Sequence, residues 1–117
     1  MTMQEPQHEW LLRIFLGESD RLDHQSLYEW LVLEARKQGL RGATVLRGTM
    51  GFGAGSQVHS FKIERLSLDL PIVVEIVETR ERLDAFLAAV TPALTTTDGI
   101  VTLERVEVRR FGSRSQP

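Results

Sequence analysis

Residues 71–90 read PIVVEIVETRERLDAFLAAV, which is the pattern of a strand followed at once by a helix. Proline is tolerated at the first position of a strand, and the apolar run over 72–77 is typical of a buried strand. Thr79 is a preferred N-cap residue, and apolar residues then recur at helical spacing. These residues are Leu83, Phe86, Leu87 and Val90. The pattern predicts an amphipathic helix that ends at Pro92, because proline disrupts a helix interior.

The first part of the chain has the same order of strand and helix. The run WLLRIFL at 10–16, closed by Gly17, predicts a first buried strand. Ser26 and Glu29 have the spacing of a capping box, so we expect a helix to begin after Ser26, with the serine side chain as its N-cap. Gly39 follows the helical pattern, and glycine readily adopts the left-handed conformation that ends many helices.

Two more strands complete the set of elements. Residues 43–46 predict the second strand, and residues 100–108 predict the last one. The apolar positions of the last strand change phase between Leu103 and Val106, which predicts a β-bulge. The order β-α-β-β-α-β is typical of the α+β ferredoxin-like fold. That fold is a four-stranded antiparallel sheet with two helices on one face.

The chain is expected to form one domain over residues 10–111, with flexible ends at 1–9 and 112–117. A long polar loop, at about 52–69, separates the second strand from the third. Loops of this length in compact domains are usually functional or disordered. The third strand is apolar on both faces. Because helices would cover only one face of the sheet, we expect the other face to be buried in an oligomer.

The composition excludes several classes of protein. The 117 residues include 14 basic and 16 acidic ones, for a net charge of −2, and there is no cysteine and no asparagine. Without cysteine, disulfides, thiol nucleophiles and cysteine-ligated metals are impossible. The near-neutral charge disfavours a dedicated nucleic-acid binder. No apolar run is long enough to span a membrane, and residues 1–9 lack the basic residues of a targeting signal. We therefore expect a cytoplasmic protein without membrane insertion.

A glycine-rich segment is the strongest local signal. Four of the nine glycines fall within residues 48–55, at Gly48, Gly51, Gly53 and Gly55. Glycine lets a ligand approach the backbone closely, and successive backbone N–H groups can form a nest for phosphate. The segment is neither a Walker A loop nor a dinucleotide fingerprint, because the lysine or helix that those motifs need does not follow. It is therefore either a phosphate-binding segment or a bend at the base of the long loop.

The turn at Asp98–Gly99 and the basic C-terminal end are two further candidates. The backbone N–H groups of the turn either face a phosphate or belong to a plain connection before the last strand. Residues 101–117 carry four arginines against two glutamates, and Arg109 and Arg110 are adjacent. Arginine suits phosphate oxygens, and the alternative is a solvated end of a strand.

The sequence shows no pairing of a nucleophile with a base. His59, in the long loop, is either a pH-sensing, metal-binding or phosphate-binding group or a plain surface histidine. His8 and His24 lie far from it in sequence, and no metal-binding spacing is present. We therefore expect no metal site and no enzymatic activity.

Several segments together resemble an uncharacterised prokaryotic family, domain of unknown function 190. They are residues 12–18, 27–29, 42–48, 51–54 and 69–71. The resemblance extends over about residues 10–111, and that family is similar to the PII signalling proteins. It implies a homotrimer of ferredoxin-like subunits, with a long T-loop between the second and third strands. It also implies that an adenine nucleotide binds in clefts between subunits.

The resemblance assigns contacts with the nucleotide phosphates to Gly51, Gly53, Asp98, Gly99, Arg109 and Arg110, with Arg47 as a further candidate. It assigns contacts with a partner protein to the T-loop residues Phe52, Gln57, His59 and Lys62. The sequence departs from PII proteins at Ala54 and Gly55, where they have Arg-Gln, and at Ile100, where they have lysine.

The favoured hypothesis is a trimeric regulatory protein that binds ATP, ADP, AMP or a similar anion as an effector, with no tightly bound cofactor. Its T-loop would regulate a partner, such as a membrane transporter or channel or another protein. The alternative is a structural trimer without a ligand, whose loop docks a partner constitutively. An enzyme of the ferredoxin-like α+β barrel type and a metal-binding trimer are lesser alternatives.

Overall fold

The computed structural model of the protein describes residues 7–53 and 69–112. The elements are β1 (Gln7–Gly17), β2 (Arg21–Leu22), β3 (Gln25–Ser26), α1 (Leu27–Lys37), β4 (Thr44–Arg47), β5 (Pro71–Glu78), α2 (Arg80–Leu94) and β6 (Ile100–Val108). Four of the strands form an antiparallel sheet in the order β4-β5-β1-β6, and β2 pairs with β3 in a separate hairpin. The predicted α+β ferredoxin-like fold is confirmed.

Both helices pack on one face of the sheet, as predicted. Buried and half-buried side chains alternate along β1 and β5, so that every second side chain points into a single core. The sheet contributes Leu12, Ile14, Leu16, Ile72, Val74 and Ile76 to this core, and the helices contribute Leu27, Leu31, Ala35, Leu83, Phe86 and Val90. The opposite face of the sheet, which we call the open face, has no helix over it among the described residues. Half-buried Leu11, Phe15, Val73 and Val77 lie there.

The C-terminal end of α1 follows the sequence prediction. Gly39 has a φ of 76°, and its N–H donates to the carbonyl of Arg36 at 3.0 Å. The N–H of Leu40 donates to the carbonyl of Ala35 at 3.0 Å. These two bonds form a Schellman motif, which satisfies carbonyls that the end of the helix would otherwise leave unpaired.

The predicted capping box at the start of α1 is wrong. Ser26 occupies the N-cap position, but its side chain makes no capping hydrogen bond. A hairpin that the sequence analysis missed explains the difference. Its strands β2 and β3 flank a turn in which Asp23 has a φ of 55°. The N–H of Leu27 donates to the backbone carbonyl of Asp20 at 2.8 Å, so a tertiary contact supplies an acceptor to this end of the helix.

The predicted end of α2 at Pro92 is also wrong, because the helix continues to Leu94. Proline removes one N–H group, but its fixed φ is compatible with a helix. Nearby threonine hydroxyls supply further hydrogen bonds to the helix carbonyls. Thr91 Oγ1 donates to the carbonyl of Leu87 at 2.6 Å, and Thr95 Oγ1 donates to that of Pro92 at 2.8 Å.

The predicted bulge in β6 is absent, since β6 pairs with β1 without interruption from Gln7↔Val108 to Phe15↔Ile100. The change of apolar phase has another origin. Leu103 pairs with Leu12 on the helix side, whereas Val106 pairs with Glu9 on the open face. Both faces of the strand therefore carry apolar residues, and no extra residue is needed.

β1 begins at Gln7, inside the segment that the sequence analysis assigned to a flexible extension. Residues 1–6, 54–68 and 113–117 lie outside the described part of the chain. Within residues 7–53 and 69–112, no helix is both long and apolar enough to cross a membrane.

Candidate functional site

Four predicted ligand-binding residues come together at one end of the sheet. β1 ends where β5 and β6 begin, so the loops at this end are neighbours. Gly51, Gly53, Asp98 and Gly99 line a groove there with a volume of ≈ 480 Å³, which we call the glycine groove. The sequence treated these residues as two separate signals. Antiparallel pairing of β1 with both neighbours brings the signals together.

Gly99 is needed for the close approach of its loop to β1. A Cβ atom at this position would lie 2.6 Å from the carbonyl oxygen of Phe15. Because that oxygen belongs to the backbone, no side-chain rotation could relieve the clash. The N–H of Gly99 donates to Thr97 Oγ1 at 3.0 Å, which fixes the turn before β6.

The glycine groove is acidic within the described residues. Asp20, Asp69 and Asp98 line it, and none of its described lining residues is basic. Two of these carboxylates accept hydrogen bonds from backbone N–H groups at the end of β1 and in the loop that follows it. The N–H of Gly17 donates to Asp20 Oδ2 at 2.9 Å, and that of Ser19 donates to Asp69 Oδ1 at 2.8 Å. A phosphate in this groove therefore requires positive charge from outside the described lining.

Arg47 lies close to the groove but has a partner of its own. It is the last residue of β4, and the next N–H, that of Gly48, donates to the carbonyl of Pro71 at 2.7 Å. The Arg47 side chain is 55% exposed and forms an ion pair with Glu18. The guanidinium is accessible beside the groove, although the groove lining does not include it.

The two C-terminal arginines lie at the opposite end of the sheet. β6 has nine residues and runs away from the glycine groove, which at roughly 3.4 Å per residue carries the chain about 27 Å. Arg109 and Arg110 follow its last residue. Within one chain they do not join the four residues of the groove.

Arg110 is bound to a buried carboxylate. Its Nη1 and Nη2 donate to Glu9 Oε2 and Oε1 at 2.7 and 2.8 Å, which is the two-point geometry of the strongest arginine–carboxylate pairs. Arg41 Nη2 also lies 3.1 Å from Glu9 Oε2. The hydrogen bond from Arg110 is the main cause that holds the pKa of Glu9 below its ordinary value, against the effect of burial.

Glu78 extends this cluster on the helix side of the sheet. Its fully buried carboxylate accepts from Arg41 Nη2 at 2.7 Å, from the N–H of Arg41 at 3.0 Å and from the N–H of Thr79 at 3.1 Å. Arg82 Nη1 lies 3.1 Å from Glu78 Oε2. Burial raises the pKa of Glu78, but the hydrogen bonds from Arg41 and Thr79 outweigh it, so the pKa of Glu78 is lowered.

Sequence reasoning missed this carboxylate–arginine cluster, which consists of Glu9, Glu78, Arg41, Arg82 and Arg110. One signal was present. Glu78 continues the alternation of buried residues along β5 and so falls on the core face. Arg82 lies only four residues after Glu78, but Arg41 and Arg110 are distant in sequence from the glutamates that they pair with, and no local spacing indicates those pairs.

A second concavity lies on the open face, on the side of the C-terminal arginines. It has a volume of ≈ 380 Å³ and is lined by Leu11, Ala43, Glu75, Val77 and Arg110, among others. We call it the open-face cavity. Arg13 Nε lies 2.9 Å from Glu75 Oε2 beside it. The cavity thus combines apolar side chains with charged ones, which include Arg41 as well as Glu75 and Arg110.

One predicted partner-loop residue is described, and three are not. Phe52 is 71% exposed at the rim of the glycine groove. Gln57, His59 and Lys62 lie outside the described residues. Within the part of the chain that the structure describes, no group of three or more histidine, aspartate or glutamate residues could hold a metal ion.

The fold is similar to that of PII-like proteins of known structure. CPII from Thiomonas intermedia K12, in a structure with ADP and bicarbonate bound, superposes with a TM-score of 0.69 at 18% identity, over 91% of this chain and 93% of that chain. A putative PII-like signaling protein from Thermus thermophilus gives a TM-score of 0.64 at 18% identity, over 90% and 93% of the two chains. Similarity at this level of identity shows a shared fold.

The chain belongs to the DUF190 family, described as "Uncharacterized ACR", whose model matches residues 9–108. A UPF0166 protein from Aquifex aeolicus (strain VF5) is 37% identical over 98 residues, which cover 84% of this chain and 90% of the relative. The family resemblance inferred from the sequence is therefore confirmed.

Proposed function

We propose that this protein is a PII-like regulatory protein that binds an adenine nucleotide in clefts between the subunits of a homotrimer. One observation carries the proposal. Gly51, Gly53, Asp98 and Gly99, which lie far apart in sequence, line one groove at the end of the sheet. Successive backbone N–H groups in such glycine-rich turns can form a nest for phosphate oxygens, although the N–H of Gly99 already donates to Thr97 Oγ1.

The position of the arginines supports a cleft between subunits. The groove is acidic within its described lining, and Arg109 and Arg110 lie at the far end of the same chain. A second subunit would bring its arginine end to the groove of the first. The same arrangement would cover the open face, whose apolar residues have no helix over them in the described chain.

The open-face cavity supports a ligand with a flat, uncharged part. Leu11 and Val77 offer apolar contact, and the Glu75 carboxylate is an acceptor for an amino group. In an assembled cleft, this cavity would hold the base, and the glycine groove of the neighbouring subunit would hold the phosphates. CPII, which has the same fold, has been solved with ADP, AMP and bicarbonate bound, so a small anion is a second candidate effector.

Regulation of a partner through the T-loop is the remaining part of the proposal. Nucleotide contacts at Gly51 and Gly53 would act directly on the segment that carries Phe52 and, further on, Gln57, His59 and Lys62. Occupancy would then bias the conformation of the loop that docks a membrane transporter, a channel or another protein. A cytoplasmic location and the lack of enzymatic activity stay predictions.

A trimer without a small ligand is the second candidate, and the acidic lining of the glycine groove favours it. Three aspartates would repel a polyphosphate if no arginine or Mg²⁺ reached the groove. In that case the glycines would serve only to bend the chain at the base of the loop.

Calorimetric titration with ATP, ADP, AMP and cyclic AMP, with and without Mg²⁺, separates the two functions. We expect micromolar binding at about one ligand per subunit, which would be lost in a double variant with Arg109→Ala and Arg110→Ala. The double variant Arg21→Ala, Arg36→Ala removes the same charge from exposed positions and should bind normally. Absence of heat with every nucleotide would favour the docking trimer.

A further inference from the structure

Arg109 and Arg110 are neighbours in sequence but have different surroundings. The Arg109 side chain is 52% exposed, and among the described residues it forms an ion pair from Nε to Glu107 Oε2 at 3.2 Å. The Arg110 side chain is 20% exposed, and two of its nitrogens are bound to the two oxygens of Glu9. Glu9 is itself buried, with its side chain 3% exposed. The two arginines are therefore not equivalent candidates for a phosphate contact.

The pairing with Glu9 occupies the edge of Arg110 that a phosphate would use. Carboxylate and phosphate compete for the same two-point arrangement of guanidinium N–H groups. A phosphate that displaced Glu9 would leave a buried carboxylate with Arg41 as its remaining partner within the cluster, and removing a partner from a buried charge is strongly unfavourable. Arg109 has no such constraint.

Arg110 nevertheless lines the open-face cavity, together with Leu11, Val77 and Arg41. The charge of Arg41 is balanced by Glu9 and Glu78. A guanidinium is flat and weakly hydrated, and it stacks on planar rings. Held by Glu9 in one orientation, Arg110 offers the cavity a fixed planar surface whose charge is balanced by its partner.

We propose that Glu9 is a positioning residue, which makes Arg110 a wall for the uncharged, planar part of the ligand and leaves contact with the phosphates to Arg109. This inference rests on the proposed function, because it assigns roles within the same nucleotide site. It makes Glu9 a determinant of affinity for the base: without its carboxylate, the Arg110 guanidinium would lose the two hydrogen bonds that hold it in one orientation.

Binding of adenosine and of ADP to single variants tests this division of roles. Adenosine lacks phosphate, so a residue that contacts only phosphate does not affect its affinity. We expect Arg109→Ala to weaken ADP binding by about tenfold or more and to leave adenosine binding unchanged. We expect Arg110→Ala and Glu9→Gln to weaken both ligands by the same factor. Arg105→Ala, at an exposed position of β6, is the control and should change neither affinity.

Arg110→Lys covers the case in which Glu9→Gln fails to fold. It keeps the charge but loses the planar two-point geometry, so we expect it to weaken adenosine and ADP as much as Arg110→Ala does. If Arg110→Ala weakened ADP binding but not adenosine binding, the inference would be overturned while the proposed function stood. If the wild-type protein bound neither ligand, both would fail.

Discussion

The buried carboxylates of Glu9 and Glu78 join parts of the protein that are distant in sequence. Glu78 ends β5, and its partner Arg41 lies between α1 and β4. Glu9 lies in β1, and its partner Arg110 follows β6. Both carboxylates are satisfied, and no buried side-chain nitrogen or oxygen within the described residues lacks a hydrogen-bond partner. An ion-pair network of this kind costs little only while every member is present.

Removing the charge of Glu78 should therefore destabilise the protein strongly. The change Glu78→Gln leaves Arg82 without its buried counter-ion and Arg41 with Glu9 alone, and we expect a loss of about 3–5 kcal/mol in the free energy of unfolding. Glu104→Gln is the matched control, because Glu104 is 60% exposed and pairs with Arg13 at 3.2 Å. We expect that change to cost less than about 1 kcal/mol. Urea unfolding at neutral pH measures both, and equal losses would contradict a special role for the buried carboxylate.

The same cluster predicts the response of stability to acid. The pKa values of Glu9 and Glu78 are lowered in the folded protein, so the unfolded chain binds protons first. Their contribution to stability is complete above the ordinary glutamate pKa of about 4.3 and is lost as the pH falls through the lower folded values. As the pH is lowered below about 4.5, the urea concentration at the unfolding midpoint of the wild type should decrease. The midpoint of the Glu78→Gln variant should decrease less over the same pH range. If the midpoints of the two proteins fell in parallel as the pH was lowered, the acid sensitivity would come from other carboxylates and the prediction would be wrong.

Both helices have a preferred N-cap residue, Ser26 for α1 and Thr79 for α2, but only the Thr79 side chain makes a capping hydrogen bond. Thr79 accepts a hydrogen bond from the N–H of Arg82 at 3.3 Å, whereas Ser26 makes none. The hairpin of β2 and β3 replaces the missing cap at α1, because the backbone carbonyl of Asp20 accepts from the N–H of Leu27. Propensity thus identified the position of each cap correctly, and tertiary contact decided which side chain takes part.

We expect Thr79→Ala to destabilise the protein by about 1 kcal/mol, which is typical for loss of a capping bond. Ser26→Ala removes an equivalent hydroxyl that makes no such bond, so we expect a change within about 0.5 kcal/mol. Thermal or urea unfolding of the two variants under the same conditions gives the comparison. A larger loss at Ser26 than at Thr79 would contradict the assignment of the caps.

The open face of the sheet predicts association of whole subunits. Leu46 lies on this face opposite Val73 and is 49% exposed. Leu33 is an equally exposed leucine, at 55%, but it lies on α1. Light scattering at micromolar concentration should give a trimer for the wild type. Leu46→Asp should raise the concentration needed for assembly, because it places a charge in an apolar interface, and Leu33→Asp should not. A wild-type monomer would contradict the proposed cleft between subunits.

The order of elements could be predicted from the sequence because each element carries its own local signal. The strand Pro71–Glu78 and the helix after Thr79 follow from periodicity and capping. The predictions that were wrong at Ser26 and in β6 concern what one element does to another, and a local rule does not include the neighbouring strand. The reason at Pro92 is local, since the φ of proline is compatible with a helix and the hydroxyls of Thr91 and Thr95 donate to carbonyls of the same helix.

Some features of the candidate site could likewise be predicted from local sequence, and others depend on tertiary contacts. The fold class, the glycine-rich segment and the Asp98–Gly99 turn could be predicted from the sequence, because these depend on residue types at short spacing. The folded chain was needed to show that the two glycine signals share one groove, and that Arg110 is held by Glu9 while Arg109 is exposed. Those facts depend on strand order and on pairing between residues 101 positions apart. Such pairing is set by burial and charge balance in the folded chain, and no local pattern encodes it.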